Sequence, residues 1–128
     1  MSDLLLYSAI APFESACSVG ILEQGHRSSR LHGHSFTARV RARLAEGWAE
    51  FPGGESDSLQ QRLLECVAPL DYDLLNNHIE VPTDENLARW VRDRIDVPGL
   101  EMVGIQSTGH EGADLDTQGN VHVWRRYR

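Results

Sequence analysis

The run Arg30-Leu31-His32-Gly33-His34-Ser35-Phe36-Thr37-Ala38-Arg39-Val40-Arg41-Ala42-Arg43-Leu44 changes character at nearly every step. In an extended strand successive side chains leave on opposite faces, so a strand over Ser35 to Leu44, entered from His32, puts His32, His34, Phe36, Ala38, Val40, Ala42 and Leu44 on one face. Ser35, Thr37, Arg39, Arg41 and Arg43 take the other. One apolar face and one cationic face describe a sheet covered on a single side. Two histidines at i and i+2 on a strand can reach one metal ion, with Gly33 between them allowing close backbone approach. An isolated His-x-His is more often a surface pair at a strand entrance, so the rest of the chain must decide.

Outward from that run, the 128 residues suit one domain over 1–128 with a modest core, and are too few for a metallohydrolase barrel. A hydrophobic fraction of 41% and a charged fraction of 24% are ordinary for a globular protein, and no apolar run reaches membrane-spanning length. Leu4-Leu5-Leu6 is too short for a signal peptide and follows the acidic Asp3, so a cytoplasmic protein is expected, with no membrane partner. A net charge of -7 argues against binding a nucleic-acid backbone. All 12 basic residues are arginine, which removes side-chain Schiff-base chemistry. The clusters Arg39/Arg41/Arg43 and Arg125/Arg126/Arg128 suit either an anionic ligand or a solvated sheet face. Cys17 and Cys66 have no CxxC spacing, and reduced thiols are expected of both.

In chain order, Leu4 to Ala11 reads as a strand, broken near Pro12 and resuming from Phe13 to Val19, with Phe13, Ser15, Cys17 and Val19 on one face. A polar loop, Gly20 to Arg30, delivers the chain to His32. Beyond Leu44, a Gly/Glu/Ser-rich linker from Glu46 to Ser58 precedes a helix, for which Ser58 and Gln61 resemble a capping box and Leu59, Leu63, Cys66, Val67 and Leu70 form the apolar stripe. A second helix opens at Pro82-Thr83-Asp84-Glu85, with Thr83 as N-cap, two acids at the positive end of the dipole, and a stripe of Leu87, Trp90, Val91 and Ile95. After Val97-Pro98-Gly99, strands are expected over Met102 to Thr108 and Val121 to Tyr127, joined by a polar turn region from Gly109 to Asn120. The order strand, strand, helix, helix, strand, strand predicts an α+β fold: a four-stranded antiparallel sheet with two helices on one face.

Several spaced motifs resemble the 6-pyruvoyl-tetrahydropterin synthase and 6-carboxytetrahydropterin synthase family. They are Phe13-Glu-Ser-Ala-Cys17, Gly25-His26-Arg27-Ser28-Ser29-Arg30-Leu31-His32-Gly33-His34-Ser35-Phe36, Leu70-Asp71-Tyr72 with Leu75-Asn76, and Pro82-Thr83-Asp84-Glu85-Asn86. They follow the family's order along nearly the whole chain. The resemblance implies a T-fold subunit that assembles with copies of itself, commonly as a hexamer of two trimers, with sites between subunits. It also implies zinc-dependent rearrangement of the side chain of 7,8-dihydroneopterin triphosphate, a lyase reaction in one branch and a step of queuosine biosynthesis in the other.

Carried over residue by residue, the resemblance places the metal ligands on Cys17, His32 and His34, with cysteine standing where the family has its first zinc histidine. The family's catalytic cysteine falls on Ser28, a much weaker base at neutral pH. Its aspartate–histidine pair falls on Asp71 and Tyr72. Its pterin-gripping glutamate falls on Ser107, next to Thr108, and a serine cannot pair with a guanidine-like edge as a carboxylate does. His26 and His110, in expected loops, are alternative acid–base groups or simply solvated. Two classes follow: a divergent zinc-dependent enzyme on a reduced pterin or related substrate, or a non-catalytic T-fold oligomer that binds a pterin-like or other small ligand.

Overall fold

The computed structural model describes residues 5–20 and 29–126. Strands β1 (Leu5–Cys17) and β2 (His32–Leu44) are followed by helix α1 (Glu55–Val67), a 3-10 turn (Ala68–Leu70), the two-residue strand β3 (Asp73–Leu74), a second 3-10 turn (Leu75–Asn77) and helix α2 (Asp84–Arg94). Strands β4 (Leu100–Thr108), β5 (Glu111–Asp116) and β6 (Val121–Arg125) complete the chain. All strands join one sheet in the order β3-β1-β2-β4-β5-β6, antiparallel except where β3 lies parallel to β1.

The sheet therefore has six strands rather than the expected four. The polar turn region, Gly109 to Asn120, contains β5, which turns only Ala113 and Leu115 inward between acidic neighbours. The break near Pro12 is also absent: β1 is continuous and pairs with β2 from Leu5↔Leu44 to Cys17↔His32. Among the described strands β1 pairs on its other side with β3 alone, at Ser15 and Ala16, so Pro12 lies where no strand ladder needs its N–H. Helix α1 starts at Glu55, three residues before Ser58, with Gly54 as N-cap and no capping side chain. Leu70 belongs to the 3-10 turn that Pro69 enforces, yet is fully buried. For α2 the cap is as expected, Thr83 Oγ1 accepting from Asn86 N.

Burial follows the alternation. Ala9, Ala11, Phe13, Phe36, Ala38, Val40, Ala42 and Leu44 face Leu59, Leu63 and Val67 of α1 and Leu87, Ala88 and Val91 of α2 in one core. The Phe13 and Phe36 rings stack at 5.0 Å between centroids, directly opposite each other across the β1–β2 pair. On the uncovered face Glu101 meets Arg43 at 2.9 Å and Arg41 at 3.9 Å, so part of the arginine cluster is neutralised within the sheet. Leu6 and Ile10 stand exposed on that side. At the far end Gly99, at φ 66°, brings its backbone against Arg43, whose N–H donates to Gly99 O at 2.8 Å. No described helix is long and apolar enough to cross a membrane.

Candidate functional site

The paired ends of β1 and β2 bring together Cys17, His32 and His34, which the family resemblance grouped. Cys17 and His32 are directly opposite, as are Ser15 and His34. Cys17 Sγ lies 3.6 Å from His32 Nε2, while His32 Nδ1 is held 2.7 Å from Arg30 O. That outer contact fixes the ring so that Nε2 faces the thiol. The His34 ring stands edge-on to His32 at 4.7 Å and to Phe36 at 5.4 Å. Burial, and then the negative charge of Asp84, push the Cys17 thiol up, so on its own it stays protonated. A cation there would reverse this, because a coordinated thiol loses its proton.

Zinc–sulfur and zinc–nitrogen bonds of about 2.3 and 2.0 Å at a tetrahedral angle separate the two ligand atoms by roughly 3.5 Å. The Cys17–His32 edge has that separation, and its donors are of the type zinc takes. The third expected ligand, His34, adjoins the pair without closing a set: among the described residues no three of His, Cys, Asp and Glu form a group able to hold one ion.

The two expected acid–base residues are differently employed. Asp71 Oδ1 accepts from Glu14 N at 2.8 Å, and Tyr72 N donates to Glu14 O at 2.6 Å, so this dipeptide clamps β1. The Tyr72 side chain is 85% exposed and its backbone sits at φ 55°, an uncommon conformation for a residue with a Cβ. It overhangs an open hollow of about 520 Å³ whose wall includes Glu14, His34, Ser35 and Asp73. Ser28 and His26 lie outside the described residues. Thr108 Oγ1 accepts from His110 N at 3.1 Å, which holds the turn before β5, and His110 Nδ1 is buried with no hydrogen-bond partner among the described residues.

Two features escaped the sequence reading. His78 Nε2 lies 2.9 Å from Asp73 Oδ2, and this contact, followed by the Leu74 backbone N–H, holds the Asp73 carboxyl below its usual range. An aspartate–histidine pair thus exists beside the hollow, one element away from Asp71 and Tyr72. A five-residue separation through a 3-10 turn has no periodic signature, so nothing in the sequence marks it. The second feature concerns Ser107, which is 6% exposed and donates its hydroxyl to Asp84 Oδ2 at 2.8 Å. Burial pushes the Asp84 carboxyl up to about 6; the Ser107 hydrogen bond opposes this, Glu111 and Glu85 reinforce it, and Arg125 opposes it. In sequence Asp84 reads only as an acid complementing a helix dipole.

The sequence profile of the 6-pyruvoyl tetrahydropterin synthase family matches residues 10–106. The chain belongs to the 6-pyruvoyl tetrahydropterin synthase family. Over 113 residues it is 31% identical to the dihydroneopterin monophosphate aldolase of Pyrococcus furiosus, covering 83% of this chain and 92% of the relative. Over 114 residues it is 27% identical to an Archaeoglobus fulgidus protein provisionally named 6-carboxy-5,6,7,8-tetrahydropterin synthase, covering 87% and 93% respectively. The fold matches that of Caenorhabditis elegans 6-pyruvoyl tetrahydropterin synthase with a TM-score of 0.65 at 15% identity, over 99% of this chain and 100% of the other. The T-fold expected from the motifs is therefore the fold of the chain, with two more strands than anticipated.

Proposed function

We propose that this family member is a metal-dependent binder of a reduced pterin in which the family's usual acid–base groups have been replaced. The observation that carries the metal reading is the 3.6 Å Cys17–His32 edge, with His32 oriented by Arg30 O. Cys17 and His32 would hold the ion and His34 is the neighbouring third donor. A bound zinc ion would polarise an oxygen of the ligand's side chain and acidify the adjacent C–H. The chain's own residues then position and shield: the stacked Phe13 and Phe36 fix the strand ends, and Arg30 O sets the His32 ring. Asp71 is committed to the Glu14 N–H, and Tyr72 projects into solvent, so neither stands ready to take a proton in the subunit.

Conversion of 7,8-dihydroneopterin triphosphate by the family's usual route is therefore expected to be weak or absent. A second reading, cleavage of dihydroneopterin monophosphate, is favoured by the 31% identity to the Pyrococcus furiosus aldolase. In both readings the protein works in the cytoplasm as a homo-oligomer, with a hexamer of two trimers as the expected state. Exposed Leu6 and Ile10 on the uncovered sheet face, and the outer edge of β6, support assembly.

The test pairs metal analysis with turnover. Protein expressed with zinc should carry about one equivalent per chain, and His32→Ala should lose it; zinc-free wild type, or a His32→Ala variant as loaded as wild type, refutes the metal reading. Turnover assays on the triphosphate and on dihydroneopterin monophosphate separate the two reactions, and inactivity on both with retained pterin binding identifies a non-catalytic binding protein.

A further inference from the structure

We infer that Asp84, held by Ser107, is the group that receives the N–H edge of the ligand, taking the paired amino and ring N–H donors of a 2-amino-4-oxo pteridine. This deepens the pterin reading and rests on it. A carboxylate offers two parallel acceptors to two parallel N–H donors, the arrangement that makes carboxylate–guanidinium pairs strong and directional.

Asp84 has the features of a receptor rather than a helix ornament. An acid that serves only the dipole of α2 gains as much when solvated, yet this one is mostly buried and lies beside two further acids, Glu85 and Glu111. Among the described residues no cationic nitrogen comes within 4.0 Å of it. Arg125 offsets the charge only from a distance, and burying a charge without a close counter-ion costs stability; such groups concentrate at functional sites. Among the described residues Oδ2 accepts from Ser107 and Oδ1 accepts no hydrogen bond, and the residue as a whole is only half-buried.

Its place in the sheet also fits. The pairing of Thr37 with Gln106 sets Ser107 beside Phe36, and the next residue on that face of β2 is His34, whose ring lies 5.4 Å from that of Phe36. A ligand anchored on Asp84 therefore lies at the same end of the sheet as the Cys17–His32 edge. Ser107 cannot bind such a ring edge by itself, but it steers a neighbouring carboxylate that can. The negative charge missing from β4 is supplied from α2, across one hydrogen bond.

The experiment measures binding of 7,8-dihydroneopterin, and of its 2-oxo counterpart lacking the 2-amino group, to the full chain. Wild type should prefer the 2-amino compound by about 10- to 100-fold, the range expected for hydrogen bonds to a charged group. Asp84→Asn should weaken 7,8-dihydroneopterin by a similar factor and abolish the preference, while Asp84→Glu keeps it. The exchange variant Asp84→Ser/Ser107→Glu, which moves the carboxylate across the hydrogen bond, should restore it. Metal content and melting temperature of Asp84→Asn should not fall, which separates ligand recognition from a structural role. If Asp84→Asn binds 7,8-dihydroneopterin as wild type does, or retains the preference, Asp84 is not the receptor. If wild type binds neither compound, the pterin reading itself fails and this inference falls with it.

Discussion

At the scale of single residues, the position with the clearest conflict between stability and use is Asp84. Its carboxyl titrates at about 6 in the folded chain, against 3.8 for an unperturbed aspartate, chiefly because of burial and against the pull of the Ser107 hydroxyl. The folded state thus binds a proton more tightly than the unfolded one. Stability contributed by this group is greatest below about pH 4, declines as pH rises through 4 to 6, and stays reduced at neutrality. An asparagine side chain at this position would keep an acceptor for Ser107 without the buried charge, so Asp84→Asn should stabilise the metal-free protein by about 1–2 kcal/mol at pH 7.5. The gain should vanish near pH 4; thermal melts at the two pH values measure it. A variant less stable than wild type at pH 7.5 would mean that the charge is compensated. The facing groups that matter are Ser107 on β4, Glu111 on β5, Arg125 on β6, Glu85 on α2 and Cys17 on β1.

At the scale of elements, what could be read in the sequence depended on whether an element carries its own period. β2 and the far half of β1 alternate cleanly, so the shared face of His32 and His34, and that of Cys17 with Phe13 and Ser15, followed from parity; the family resemblance grouped Cys17 with the two histidines, and the structure pairs Cys17 with His32 across the two strands. β5 was missed because Glu111-Gly112-Ala113-Asp114-Leu115-Asp116 has just two apolar inward positions, and because Gly112, beneath the Trp124 ring, reads as a turn residue. Asp84 and Ser107 meet only when α2 packs on β4, a contact set by tertiary structure that no local pattern announces. Helix starts gave one success and one failure, and the difference is measurable. Thr83 caps α2 with its own hydroxyl, so Thr83→Ala should cost about 1 kcal/mol. Ser58 lies inside α1, whose start carries no capping side chain, so Ser58→Ala should change stability by only a few tenths of a kcal/mol. Chemical denaturation of both variants decides the point, and equal losses would put the helix start back at Ser58.

For the whole molecule, the outer edge and the half-covered sheet bear on catalysis as well as on assembly. Among the described residues the outer strand β6 pairs on one side only, whereas the free side of β1 is partly capped, Ile10 by the Gln60 side chain and Glu14 by Asp71 and Tyr72; Leu6 (48%), Ile10 (53%) and Val123 (56%) are exposed in the isolated subunit. Pairing such an edge with other copies satisfies the backbone and buries those side chains. Tyr72 is 85% exposed on a strained backbone beside the hollow that His34 and Asp73 help to line. A residue so exposed contributes nothing to its own core, so Tyr72→Ala should leave the melting temperature of a monomeric form unchanged. If assembly covers it, the same substitution should weaken the oligomer, seen as a shift toward smaller species by light scattering at micromolar concentration. Wild type that is monomeric under those conditions would remove both the oligomer and the reason for Tyr72. Wild type that assembles, with Tyr72→Ala assembling equally well, would leave the tyrosine facing the open hollow beside His34, and loss of pterin binding in Tyr72→Ala would then assign that hollow to the ligand.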